Sequence, residues 1–108
     1  MHPHPGEVWL ADLGLAAKTR PVVIVSRYDP DAPRALVPYA PLTTQQRPSS
    51  YEVPLPRVSY LDRESVVNVQ GLGSIPMVRL EKKLGKLSKD AFARVKIALT
   101  YALDLKSE

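Results

Sequence analysis

Glu7-Val-Trp-Leu-Ala-Asp12 can alternate in the way of a half-buried strand, with Val8 and Leu10 on one face and Trp9 on the other. Pro21-Val-Val-Ile-Val-Ser26 is a continuous β-branched run and predicts a strand buried on both faces, with proline at its tolerated first position. Ala35 to Thr43 predicts a third strand, which Pro38 and Pro41 assign to an irregular or edge place. Tyr51 to Leu55 predicts a fourth, and Ser65 to Gln70 alternates again until Gly71-Leu-Gly73 interrupts it. Between these runs lie a small-residue loop (Gly14–Thr19), a turn (Asp29–Pro33) and a polar loop (Gln45–Ser50). After Ser88, a good N-cap, the period lengthens: Phe92, Val95, Leu99, Ala102 and Leu103 form the stripe of an amphipathic helix. Ile97 and Tyr101 lie off that stripe. Five or six short strands followed by one helix predict a mainly β fold, an antiparallel barrel capped by the C-terminal helix.

Composition narrows the reading. A chain of 108 residues has room for one domain, residues 1–108, and can bury roughly 65% of its unfolded surface. Hydrophobic residues at 44% and charged residues at 24% exclude a disordered or fibrous chain. No apolar run reaches the ~18 residues of a membrane span. The opening Met1-His-Pro-His-Pro5 lacks the pattern of a signal peptide, which points to the cytoplasm. The absence of cysteine excludes a disulfide scaffold, a thiol nucleophile and a Cys-based zinc site. A net charge of +4 makes a polyanion a plausible partner.

Few residues suggest chemistry by themselves. His2 and His4, near the terminus, read as incidental, and Gly71-Leu-Gly73 lacks the lysine and the strand-to-helix setting of a phosphate loop. Asp29 and Asp31 flank a proline as turn residues do. No cofactor or metal is implied. Arg20 immediately precedes the buried run, and Thr43-Thr44-Gln45 ends the third strand. If those strands pair, a guanidinium and hydroxyls converge at one end of the barrel and can grip a phosphate.

Taken in order, these segments resemble the MazF/PemK family of toxin endoribonucleases, whose SH3-like barrel fold is shared with the CcdB gyrase poisons. The resemblance is carried by Gly6-Glu-Val-Trp-Leu10, Thr19-Arg-Pro-Val-Val-Ile-Val-Ser26, Ala40-Pro-Leu-Thr-Thr-Gln45, Ser65-Val-Val67 with Ser74-Ile75, and Arg79-Leu80 with Leu84-Gly-Lys-Leu-Ser88. It implies a cytoplasmic homodimer that cuts single-stranded RNA without a metal, leaving a 2′,3′-cyclic phosphate and a 5′-hydroxyl. It also implies a cognate antitoxin, through which any contact with DNA is made. Arg20 falls on the arginine that stabilises the phosphorane and relays a proton, and Thr43 on the threonine that holds the scissile phosphate. Gln70 falls where some members carry an aspartate, with Asn68 where an arginine can stand. Lys18, Thr19, Thr44, Gln45, Arg47 and Lys86 are the further candidate RNA contacts. The segment Gly14–Thr19 contains no acid, whereas family members often have a glutamate there. A binding protein of the same fold that does not cut is the alternative. A gyrase poison fits less well, since those act through apolar and aromatic residues at a C-terminus that here reads Asp104-Leu-Lys-Ser-Glu108.

Overall fold

A computed structural model describes residues 2–14 and 19–105. Among the described residues seven strands precede one helix: β1 Glu7–Asp12, β2 Thr19–Ile24, β3 Leu36–Thr43, β4 Glu52–Pro54, β5 Val66–Asn68, β6 Gly73–Pro76, β7 Leu80–Lys86 and α1 Lys89–Ala102. All ladders are antiparallel. The sheet runs β4-β5-β3-β2-β1-β7, with β6 also on β3. The count exceeds the expected five or six because the Gly71–Gly73 break separates two strands instead of ending one. A 3-10 turn, Val69–Gly71, joins β5 to β6.

The expected edge position for β3 is not observed: β2 lies along one edge, and β5 and β6 share the other. Its prolines fit because each falls at a gap in a ladder. The Pro38 carbonyl accepts from Val25 N at 3.3 Å, so its missing N–H also faces the β2 side, beyond the last recorded pair, Ile24 with Tyr39. Pro41 has the opposite parity and faces the other edge, where the 3-10 turn separates the β5 and β6 ladders. A Cβ on Gly71 would sit 2.9 Å from Pro41 Cγ, so glycine lets that turn lie against the proline.

Strand alternation divides the interior into two cores that share β1, β2 and β3. One face carries Trp9, Ala11, Val22, Ile24, Val37, Ile75 and Leu80. The other carries Val8, Val23, Ala40, Leu42, Val67 and Val69, and is covered by Ala91, Val95 and Ala98 of α1. β1 is therefore apolar on both faces, not half-buried as its alternation suggested. β6 and β7 lie at opposite margins of the array β6-β3-β2-β1-β7, which laid flat would part them by about 19 Å. Only Met77–Arg79 connects them, a reach of about 13 Å, so the array must roll up around the Trp9 core. The barrel is thus curled, with no ladder between β6 and β7 to close it. Ser88 caps α1 by accepting from Ala91 N at 3.1 Å. Leu103, expected on the buried stripe, is 49% exposed because it lies beyond the last helical residue.

Candidate functional site

Pairing sets the geometry of one end of the barrel. Ala11 of β1 stands opposite both Leu80 of β7 and Arg20 of β2. Extending the β2–β3 register by two residues from Val22 and Pro41 sets Arg20 opposite Thr43, which itself pairs with Val66 of β5. Arg20 has the parity of Val22 and Ile24, and Thr43 that of Val37 and Tyr39, so both fall on the inner face at the barrel's mouth. Arg20 is exposed, and no carboxylate pairs with it among the described residues. The Thr43 hydroxyl oxygen accepts from Gln45 N at 3.1 Å, which fixes the rotamer and leaves the hydroxyl proton to donate outward. A fixed hydroxyl donor and an unpaired guanidinium on one row suit a phosphate.

Other sequence candidates separate by position. Thr19 pairs with Asp12 one place beyond Arg20, and Thr44 follows Thr43 (both exposed). Gln45 and Arg47 lie in the exposed loop after β3, where Arg47 N donates to Glu52 Oε1 at 2.7 Å. Lys18 lies outside the described residues. Asn68 caps the 3-10 turn, its Oδ1 accepting from Gln70 N at 3.0 Å, and so holds the segment that carries Gln70. Gln70 is exposed and lies in the 3-10 turn after β5, next to Gly71, which rests against Pro41 two residues before Thr43. Lys86 pairs with Glu7 at the other end of β1, four residues or about 13 Å from the row of Ala11 and Arg20.

Residues missed in the sequence reading join the same end. Arg79 Nη1 lies 3.9 Å from Asp12 Oδ1, which also accepts from Gly14 N at 2.8 Å, so this pair braces the exit of β1. Gly14 has φ +71°, and a Cβ there would press on the Arg79 guanidinium. A cavity of about 250 Å³ beside Thr44 adds Asp62, Arg63 and Ser65. Only the β1–β7 pairing and the loop path bring these groups in, and neither leaves a local sequence signal.

The histidines lie elsewhere. His4 stacks on Tyr28 with ring centroids 4.1 Å apart, and His2 meets the same ring edge-on. Gly6 N donates to Ile24 O, which places this cluster at the opposite end of β2 from Arg20. Among the described residues no group of three His, Cys, Asp or Glu is placed to hold a metal ion. No helix there is long and apolar enough to cross a membrane. On the outer side, Ile97 (69% exposed) and Tyr101 (56%) do not cover the barrel. With Val53, Pro54, Arg94 and Ala98 they line a groove of about 310 Å³ between β4 and α1.

Residues 4–103 match the profile of the family described as PemK-like, MazF-like toxin of type II toxin–antitoxin systems. The probable endoribonuclease MazF5 of Mycobacterium tuberculosis strain H37Rv is 36% identical over 105 residues, covering 94% of each chain. Endoribonuclease MazF3 of Mycobacterium tuberculosis strain CDC 1551 is 33% identical over 88 residues, 82% of this chain and 85% of that protein. Among solved structures, a mycobacterial endoribonuclease in complex with its cognate antitoxin superposes with a TM-score of 0.85 at 26% identity, covering 98% and 99% of the two chains. The Mycobacterium tuberculosis toxin MazF-mt6 gives 0.82 at 31% identity, covering 94% and 99%.

Proposed function

The chain belongs to the PemK-like, MazF-like toxins of type II toxin–antitoxin systems, and from that premise we propose that it is a cytoplasmic endoribonuclease cutting single-stranded RNA without a metal ion. The observation that carries the reading is the placing of Arg20 and Thr43 on one row at the barrel mouth, with the guanidinium unpaired among the described residues. RNA brings its own nucleophile. The 2′-hydroxyl loses its proton and attacks the adjacent phosphorus, the bond to O5′ breaks, and O5′ takes up a proton. Charge grows on the non-bridging oxygens along this path, so donors held in place bind the phosphorane better than the ground state. Arg20 supplies the charge-assisted, two-pronged grip, and Thr43 a single neutral hydrogen bond. Gln70, on the turn that rests against Pro41, is a further contact to the RNA. Relatives named as endoribonucleases and a structural neighbour in complex with its cognate antitoxin support the enzyme class and an antitoxin as partner.

A homodimer is part of the same proposal: the exposed Ile97 and Tyr101 line a groove that suits a second copy. The test is incubation of the purified protein with a long RNA in the presence of a chelator, followed by mapping of the ends. Discrete cuts leaving 5′-hydroxyl and 2′,3′-cyclic phosphate ends are expected. Intact RNA that is nonetheless bound would favour a binding protein of the same fold.

A further inference from the structure

The cavity beside Thr44 is lined by Pro21, Thr44, Leu61, Asp62, Arg63 and Ser65. Three of these are the bonded neighbours of Arg20, Thr43 and Val66, so they face the opposite side of the same strand ends. The remaining wall is a loop held from behind. Leu61 is buried in the outer core, and the Arg57 guanidinium donates from Nη1 to the Leu61 carbonyl and from Nη2 to that of Asp62, the latter at 2.7 Å. The Ser65 hydroxyl donates to Arg63 O at 3.2 Å. The backbone at Asp62 and Arg63 is therefore fixed, while both side chains stay exposed at the cavity. Among the described residues the Asp62 carboxylate has no ion-pair partner.

We propose that this cavity is a base-reading subsite in which Asp62 selects guanine at a position flanking the cut. The inference rests on the reading of the chain as an endoribonuclease for single-stranded RNA. An ionised carboxylate offers two acceptors and no donor. Guanine alone presents two adjacent donors, N1–H and the 2-amino group, that such a carboxylate can accept together. Adenine and cytosine pair their amino group with a ring acceptor, and uracil sets its single N–H between two carbonyls, so each of these meets the carboxylate with repulsion. Arg63 and the Thr44 hydroxyl stand beside the base to take its phosphate or its O6. The cavity flanks the Arg20–Thr43 row, across the same strand ends, where the nucleotide next to a bound phosphate can reach it.

Mapping the cuts made in a long RNA comes first, and enrichment of guanine at one flanking position is expected. Two short RNAs then differ only there, one with guanine and one with inosine, which lacks the 2-amino group. The native enzyme is expected to lose about tenfold or more in kcat/KM on inosine. For Asp62→Ala and Asp62→Asn, each checked for an unchanged melting temperature, the ratio between the two RNAs falls toward one. Cuts without guanine preference at either flank, or a ratio that Asp62→Ala leaves unchanged, overturn the subsite and leave the enzyme reading standing. Failure to cut any RNA overturns both.

Discussion

Arg20 and Thr43 are predicted to contribute unequally. Arg20→Ala removes a charge-assisted pair of bonds and should slow single-turnover cleavage by roughly 10²–10³ or more, with the melting temperature unchanged because the side chain is exposed. Thr43→Ala removes one neutral bond and should cost less. Gln70→Asp should weaken RNA binding, since it sets an exposed negative charge beside the RNA phosphates. Glu7 is buried at the far end of β1: its carboxylate accepts from His4 N at 3.0 Å and Trp9 Nε1 at 2.9 Å, and pairs with Lys83 at 3.1 Å. Burial by itself would raise its pKa, but these hydrogen bonds and the Lys83 charge outweigh burial and hold it below 4.5. The ionised form therefore stabilises the fold above that pH, and the contribution is lost as the pH falls through the folded-state pKa. Thermal melts should show Glu7→Gln less stable than the native chain near neutral pH, with a gap that narrows on acidification. At this scale the sequence was partly legible. Arg20 could be found because it abuts an unmistakable buried run, whereas Asp62 and Arg79 sit in segments whose importance arises only from pairing. Lys86 was drawn in by its charge, and register removes it from the row of Arg20.

Among the elements, α1 could be read because its apolar period matches its buried face, and β1 and β2 because each holds a run of apolar residues long enough for a strand. β6 and β7 were harder. Leu80-Glu-Lys-Lys-Leu-Gly-Lys86 is too charged to resemble a strand, since its pairing relies on β1 and its outer residues face water. β3 misled for the opposite reason: its prolines are tolerated by gaps in the neighbouring ladders, which no local pattern reveals. The loop between β4 and β5 packs Tyr60 flat on Gly85 of β7, where any Cβ would overlap the ring. The Tyr60 hydroxyl is buried there without a hydrogen-bond partner among the described residues, and burial raises its pKa. Removing an unsatisfied buried hydroxyl is neutral or favourable. Tyr60→Phe should therefore raise stability by up to about 1 kcal/mol in denaturant titrations; a loss of stability would mean that the hydroxyl has a partner.

For the molecule as a whole, the exposed apolar groove between β4 and α1 leads to a prediction about assembly. Ile97→Lys should convert a dimer to a 12.0 kDa monomer in light scattering, because an ammonium there would be buried beside the like charge of Arg94. A native chain that already scatters as a monomer would remove the dimer from the proposal. The fold class and the barrel mouth follow from the sequence because they depend on strand periodicity, which the order of residues carries. What surrounds the mouth depends on which strands meet, and that is a property of the assembled chain. Alternation has one more effect. Arg20 and Pro21, like Thr43 and Thr44, are consecutive residues about 3.8 Å apart from Cα to Cα, so the phosphate grip and the base cavity lie on the two sides of a single strand end. The strand end acts as a blade over which the nucleotide chain must fold, its backbone on one side and a base on the other. A nucleotide held in a stacked, paired helix cannot open that way. A cleavable sequence locked into a hairpin stem should survive intact while the same sequence in the loop is cut, and equal cutting of both would show that no such fold in the chain is required.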